Sequence, residues 1–166
     1  MLLWFAGLGF VSVVLVFRSP ALDYRMVVLG SVLPLVEALT GGPKVLHTLL
    51  GPVVVLTVVM LATRNRRLVR RRWLGLPIGL FVHLVLDASW ADRDLFWWPA
   101  FGWSFPTTQL PELERGLGAI VVMELIGAAA IVWSWRRFGL DDPARRELFV
   151  RHGRLDRALV GEGGGS

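Results

Sequence analysis

Apolar residues run along this chain in long unbroken stretches, not in the strict alternation of a half-buried strand. Leu2–Phe17 carries no charge, and residues 26–39 carry Glu37 alone. Residues 45–62 hold one histidine, residues 74–86 hold one and continue into Asp87, and residues 117–135 carry Glu124 alone. A helix that is apolar all round belongs in lipid or in a deep core, and about 20 residues cross a bilayer, with a range of ~17–25. The first, third and fifth stretches reach that length, and the fourth does so with Trp73, Asp87 and a few flanking residues. The second, at 14 residues, is short. Pro34 in its middle removes a backbone donor and predicts a kink. The expected fold is all-α: an integral-membrane bundle of four to five transmembrane helices over residues 1–137. A cytoplasmic, basic, amphipathic tail over 138–160 and a flexible linker over 161–166 follow.

Composition agrees. Hydrophobic residues make up 54% of the chain and charged residues 19%, against roughly a quarter charged in an average soluble domain. Disordered chains are polar and charged, so disorder is excluded for most of the length. The net charge of +5 is not spread evenly, since six of 18 basic residues fall in residues 64–72 and seven more in 136–157. Positive loops stay in the cytoplasm, which points to a bacterial inner membrane with the C-terminus inside. The third and fourth stretches then form a hairpin with its tip at 64–72, and residues 88–114 lie outside. If the second stretch spans, Arg18 and Arg25 also fall inside, giving five crossings with the N-terminus outside. If it is re-entrant, there are four crossings with the N-terminus inside. No positive residue precedes the first stretch and no clear small-x-small pattern follows it, so it reads as a retained helix, not a cleaved signal peptide. The arginines set topology and attract anionic membrane lipid. No recognition fold accompanies them, so no nucleic-acid partner is expected.

Asp142 and Pro143 mark a helix start, with Asp as the cap and Pro in the first turn. Beyond them Leu148, Phe149, Leu155 and Leu159 suit a membrane surface or a membrane-protein partner.

Ionisable residues inside a membrane are costly and are functional candidates by default. Five occur here: Glu37, His47, His83, Asp87 and Glu124. Counted from the nearest cytoplasmic arginine at ~1.5 Å per residue, they stand about 18, 25, 16, 22 and 18 Å up. All five fall in the outer half of a hydrocarbon core ~30 Å thick, consistent with one site opening outward. His83 and Asp87 are four apart and share a helix face. Imidazole nitrogen and carboxylate oxygen suit zinc or manganese, and with no cysteine in the chain only nitrogen and oxygen ligands are available. Glu37 and His47 complete two histidines and two carboxylates. The same residues also suit plain hydrogen bonding across a helix bundle. Glu124 lies on a helix rich in glycine and alanine, which suits close packing; there it supports the site, pairs with a histidine or lines the pocket. The outer loop carries Trp90, Phe96, Trp97, Trp98, Phe101, Trp103 and Phe105, which form an interfacial aromatic belt or a lid over the site. Trp98 and Arg93 are its candidate substrate contacts. Arg93 suits bidentate recognition of a phosphate, or pairs with Asp92 or Asp94.

Three segments occur in order: Gly30-Ser31-Val32-Leu33-Pro34-Leu35-Val36-Glu37, His47-Thr48-Leu49-Leu50 and His83-Leu84-Val85-Leu86-Asp87, with Trp98-Pro99 after them. This pattern resembles the YdjM-like membrane-bound metal-dependent hydrolases, small bacterial inner-membrane proteins, over roughly residues 27–99. Leu35 stands where that family has its first Asp, Glu37 where it has the second, and Gly42 near its first middle histidine. The resemblance implies a metal-dependent hydrolase, and the reduced set suits one ion.

The first functional expectation is therefore a hydrolase holding one divalent metal, zinc or manganese, through His47, His83 and Asp87. Glu37 is a fourth ligand or, with Asp87, an acid–base group. The substrate is a phosphate or ester of an amphiphilic lipid. The second is a non-catalytic membrane subunit that binds a partner through its tail. The third is proton or ion conduction through Glu37, Asp87 and Glu124.

Overall fold

The computed structural model describes residues 1–40, 44–103 and 116–161, and all regular structure among them is helical. The helices are α1 (Leu2–Phe17), α2 (Tyr24–Val32), α3 (Leu50–Ala62), α4 (Arg67–Trp73), α5 (Gly75–Asp87), α6 (Arg93–Phe96), α7 (Leu117–Arg137), α8 (Pro143–His152) and α9 (Arg157–Gly161). Short 3₁₀ segments cover Leu33–Thr40, Val45–His47 and Ser89–Ala91. Gly42, Phe105 and residues 162–166, on which sequence expectations fell, lie outside the described residues.

α2 and α5 lie backbone against backbone. A Cβ added to Gly75 would meet the Asp23 carbonyl, one on Gly79 the Val27 carbonyl, and one on Gly30 the Leu76 carbonyl. Small residues spaced four apart permit this approach, as they do between membrane helices. Asp23 stands beside Gly75 at one end and Ser31 beside His83 at the other, so the two helices run parallel. α1 runs against them, with Phe5 stacked on His83 and Phe10 edge-on to Tyr24. α7 follows the direction of α1, touching it through Gly7 and Gly127 at mid-helix and Phe10 and Phe138 at its end. α3 starts beside His47 and ends just ahead of the arginines of 64–72. One end of the bundle is thus basic, and the other carries His47, His83 and Asp87.

The helices are shorter than the apolar stretches suggested. At ~1.5 Å per residue, α7 is about 31 Å long, α1 about 24 Å, and α3 and α5 about 20 Å each. Only α7, among the described helices, is long and apolar enough to cross a membrane; α1 and α3 are shorter apolar helices. The reasons are local. Pro34 breaks the second stretch, which continues as 3₁₀ turns. In the third, Val45–His47 coil as 3₁₀ and Thr48 is extended (φ −100°, ψ 157°), so the α-helix begins at Leu50. Large apolar side chains nonetheless cover the outside, including Val16, Leu61, Phe81, Leu125 and Val132.

The tail starts as expected, with Asp142 accepting the Ala144 N–H at 2.8 Å and Pro143 in the first turn. Several of its apolar residues go to the protein's own core, while Val150 stays exposed. Phe149 meets Phe10 edge-on, and Leu140, Leu155 and Val160 are buried with Val13, Val14 and Leu22. Gly153, at φ 65°, ends α8, and its carbonyl accepts the Tyr24 N–H at 2.8 Å.

The α2–α5 contact predicts a contrast. Gly79→Ala should cost about 1–3 kcal/mol by forcing the backbones apart. Gly118→Ala, where a Cβ meets nothing, should stay within about 1 kcal/mol of the parent. Thermal unfolding in detergent checks both, and equal effects would contradict the packing.

Candidate metal centre

His83 lies in the last turns of α5, fully buried, and its Nδ1–H donates to the Ser31 carbonyl at 2.7 Å. The break in α2 makes that carbonyl available. In 3₁₀ pairing the N–H of residue 34 would fill it, and Pro34 has none. Nδ1 being the donor, Nε2 is the atom of the neutral ring that accepts or ligates. Phe5 stacks on the ring with centroids 4.0 Å apart.

His47 closes the 3₁₀ turn before α3 and is also fully buried. Its Nδ1 is 2.8 Å from Glu37 Oε2. Glu37 is itself pinned, accepting the Lys44 N–H at 2.7 Å on Oε2 and the Leu46 N–H at 2.9 Å on Oε1. The carboxylate thus holds the histidine by one edge and turns Nε2 into the acceptor. The two imidazoles stand edge to face, with centroids 5.2 Å apart.

Asp87 is the last residue of α5 and is 1% exposed. The chain turns sharply after it, because Ala88 takes the left-handed conformation (φ 61°), which costs a non-glycine residue roughly 1–2 kcal/mol. That turn brings Ser89 back, and its Oγ donates to Asp87 Oδ2 at 2.8 Å.

His47, His83 and Asp87 each offer one ligand atom, and these atoms lie within 4.8 Å of one another. This buried group could hold a metal ion. Its donor set of two imidazole nitrogens and a carboxylate oxygen fits a divalent ion bound at ~2.0–2.2 Å, in a three-ligand site that keeps a position open. Each side chain is anchored from behind, by Glu37, the Ser31 carbonyl and Ser89. Such outer partners fix the tautomer and aim of metal-ligating histidines.

The other expected residues sit elsewhere. Glu37 stands behind His47, outside the three-residue group. Glu124 accepts the Leu3 N–H at 2.9 Å and pairs with the Met1 ammonium at 2.9 Å, so it holds the end of α1 that carries Phe5. Arg93 lies 4.2 Å over the Phe101 ring, a cation–π contact. Trp98 faces Trp103 edge-on at 6.3 Å. Their loop is tied to the centre where the Leu49 N–H donates to the Phe96 carbonyl at 2.9 Å. Trp90, Trp97, Phe101 and Trp103 are exposed around it. Ser31, Ser89 and Phe5 were not singled out from sequence. The serines carried one signal, as small polar residues next to a break or a helix end; Phe5 carried none.

Comparison with protein-family models, with curated proteins and with solved structures finds no match to this chain.

Zinc binding should follow this arrangement. Titration against a chromophoric chelator should show near loss of binding in His47→Ala and His83→Ala, and a ~10–100-fold weakening in Glu37→Gln, the usual effect of removing an outer partner. An unchanged affinity in Glu37→Gln would show that the carboxylate does not orient His47.

Proposed function

We propose that this protein is a multi-pass bacterial inner-membrane hydrolase using one divalent metal, held by His47, His83 and Asp87, to cleave a phosphate or ester bond of an amphiphilic lipid. The observation that carries the reading is the buried group of two histidines and an aspartate, each anchored from behind. Burying such polar groups without a task is expensive. The three motif segments that resemble the YdjM-like hydrolases are the segments that supply these residues and Glu37.

Several features support a membrane setting. Arg18, Arg25, the arginines of 64–72 and Arg136–Arg137 all lie at or beside helix ends on one side of the bundle, as the positive-inside rule expects of a cytoplasmic face. The exterior carries many exposed large apolar side chains, and extended apolar surface of this kind marks contact with lipid or a partner. α3 and α5 are too short to reach across; α3 starts and α5 ends at the metal centre. There the backbone is irregular, and irregular backbone at membrane depth is tolerated where protein buries it or a cavity adjoins it. The exposed tryptophans at that end suit the outer interface.

Each residue has a definable task. Glu37 is a positioning residue, holding His47 with its Nε2 as donor atom to the ion. The Ser31 carbonyl does the same for His83. Ser89 orients Asp87, which supplies the single carboxylate oxygen of the group. Phe5 covers one face of His83 and excludes water there. A bound ion supplies Lewis acidity, polarising the scissile phosphoryl or acyl oxygen and lowering the pKa of attacking water.

The substrate class follows from the surroundings. An apolar groove of about 500 Å³ runs between α1, α3 and α5, lined by Val13, Phe17, Leu56 and Ile78 and reaching Leu49 and Leu86. Leu49 lies two residues from His47, and Leu86 adjoins Asp87. A hydrocarbon chain in the groove would leave its polar head at the metal centre.

Purified protein in detergent should contain one equivalent of zinc or manganese and release phosphate from a polyprenyl phosphate, or a head group or fatty acid from a phospholipid. His83→Ala should lose both metal and turnover. Turnover equal to wild type in that variant would overturn the proposal, and wild-type protein without metal would favour a non-catalytic subunit.

A further inference from the structure

We propose that the basic end of the bundle carries a second site, a pocket for a phosphate group borne by an anionic lipid head or free in solution. A cavity of about 180 Å³ opens there between the start of α2, α4 and the end of α8. Arg25, Arg72, Arg151 and Arg154 line it together with His152, against one carboxylate, Asp23. These residues come from three separate segments of the chain, so folding gathers them, not one run of charge.

Asp23 organises the pocket. It is 2% exposed and caps α2, accepting the Arg25 N–H at 3.1 Å. The same carboxylate takes Arg25 Nε at 3.1 Å and Nη2 at 2.9 Å, and Arg72 Nε at 3.2 Å. One negative charge therefore holds two guanidiniums side by side. The tail is fastened to the same point. Arg25 Nη1 donates to the Val150 carbonyl, and Gly153 lies so close to Asp23 that a Cβ there would strike the carboxylate. That docking carries Arg151, His152 and Arg154 to the cavity. Arg151 pairs with Glu147 at 3.0 Å, while Arg154 makes no ion pair among the described residues.

Four guanidiniums around one carboxylate form a concave surface of positive potential, which raises the local concentration of anions. The planar, multiply donating guanidinium matches phosphate oxygens in pairs. Basic pockets between helices at a cytoplasmic face suit lipid phosphate heads for this reason. The pocket is distinct from the metal centre. Asp23 and Ser31 are eight residues apart on α2, about 12 Å at ~1.5 Å per residue, and the two sites share no side chain. This inference does not depend on the proposed hydrolysis.

The test is calorimetric titration of the full chain in dodecyl maltoside at fixed ionic strength. The probes are inorganic phosphate, dioctanoyl phosphatidylglycerol and dioctanoyl phosphatidylcholine. Saturable binding of phosphatidylglycerol but not phosphatidylcholine identifies an anionic lipid head. Binding of inorganic phosphate, competing with the lipid or alone, identifies a site that accepts the free anion. In either case Arg154→Gln should weaken binding about tenfold or more, and Arg72→Gln with Arg154→Gln should remove it. Arg154 is exposed and makes no ion pair among the described residues, so the single variant should fold as the parent does. Absence of saturable binding by both anionic probes, or binding unchanged in both variants, would overturn the proposal.

Discussion

The close contact of α2 and α5 is the constraint on which the rest of this molecule depends. Gly30, Gly75 and Gly79 let the two backbones touch over their whole shared length, and a parallel pair so close has little freedom to slide. At one end the contact sets the Ser31 carbonyl on His83. At the other it sets Asp23 beside Gly75 and within reach of Arg72. The candidate metal centre and the arginine pocket therefore lie at the two ends of one packing interaction. Other elements attach to this pair: α1 lays Phe5 on His83, α8 docks through Gly153, and the turn before α3 delivers His47.

Polar groups are sparse among the apolar helices, and the ionisable ones buried around the metal centre make specific contacts. Glu37 takes two backbone N–H groups and one imidazole, Asp87 takes a hydroxyl, and His83 donates to a carbonyl. In an apolar environment such bonds are strong, and their absence would be costly. The result is a rigid ligand set. A metal centre needs that rigidity more than a structural hydrogen-bond cluster does, because ligand aim governs affinity.

Much of the site was legible in the sequence for a simple reason. Ionisable residues are rare in apolar helices, and counting rise per residue from the arginines assigned Glu37, His47, His83 and Asp87 similar heights. The count works because α2 and α5 start from the same level, held there by Asp23 and Gly75. The helix break at Pro34 was legible for a local reason, the missing N–H. What could not be read was which side of His47 Glu37 occupies. Spacing alone admits it as a ligand, and only the fold of 33–47 places it behind the ring, with two amides on its oxygens. The helix lengths were also hidden. An apolar run shows where a helix is tolerated, and Thr48 and Pro34 end the regular backbone inside such runs. Asp23 drew no notice because a lone acid among arginines reads as a solvated pair; its burial comes from α8 packing over it. The tail's apolar residues were legible as a docking face, but sequence could not show that the face docks on its own bundle.

X-ray absorption spectroscopy of zinc-loaded protein reads the ligand shell itself, independently of any substrate. Binding through His47, His83 and Asp87 gives a shell of nitrogen and oxygen at ~2.0–2.2 Å with imidazole scattering from two histidines, reduced to one in His83→Ala. A shell lacking imidazole scattering, or one unchanged by that substitution, would contradict it.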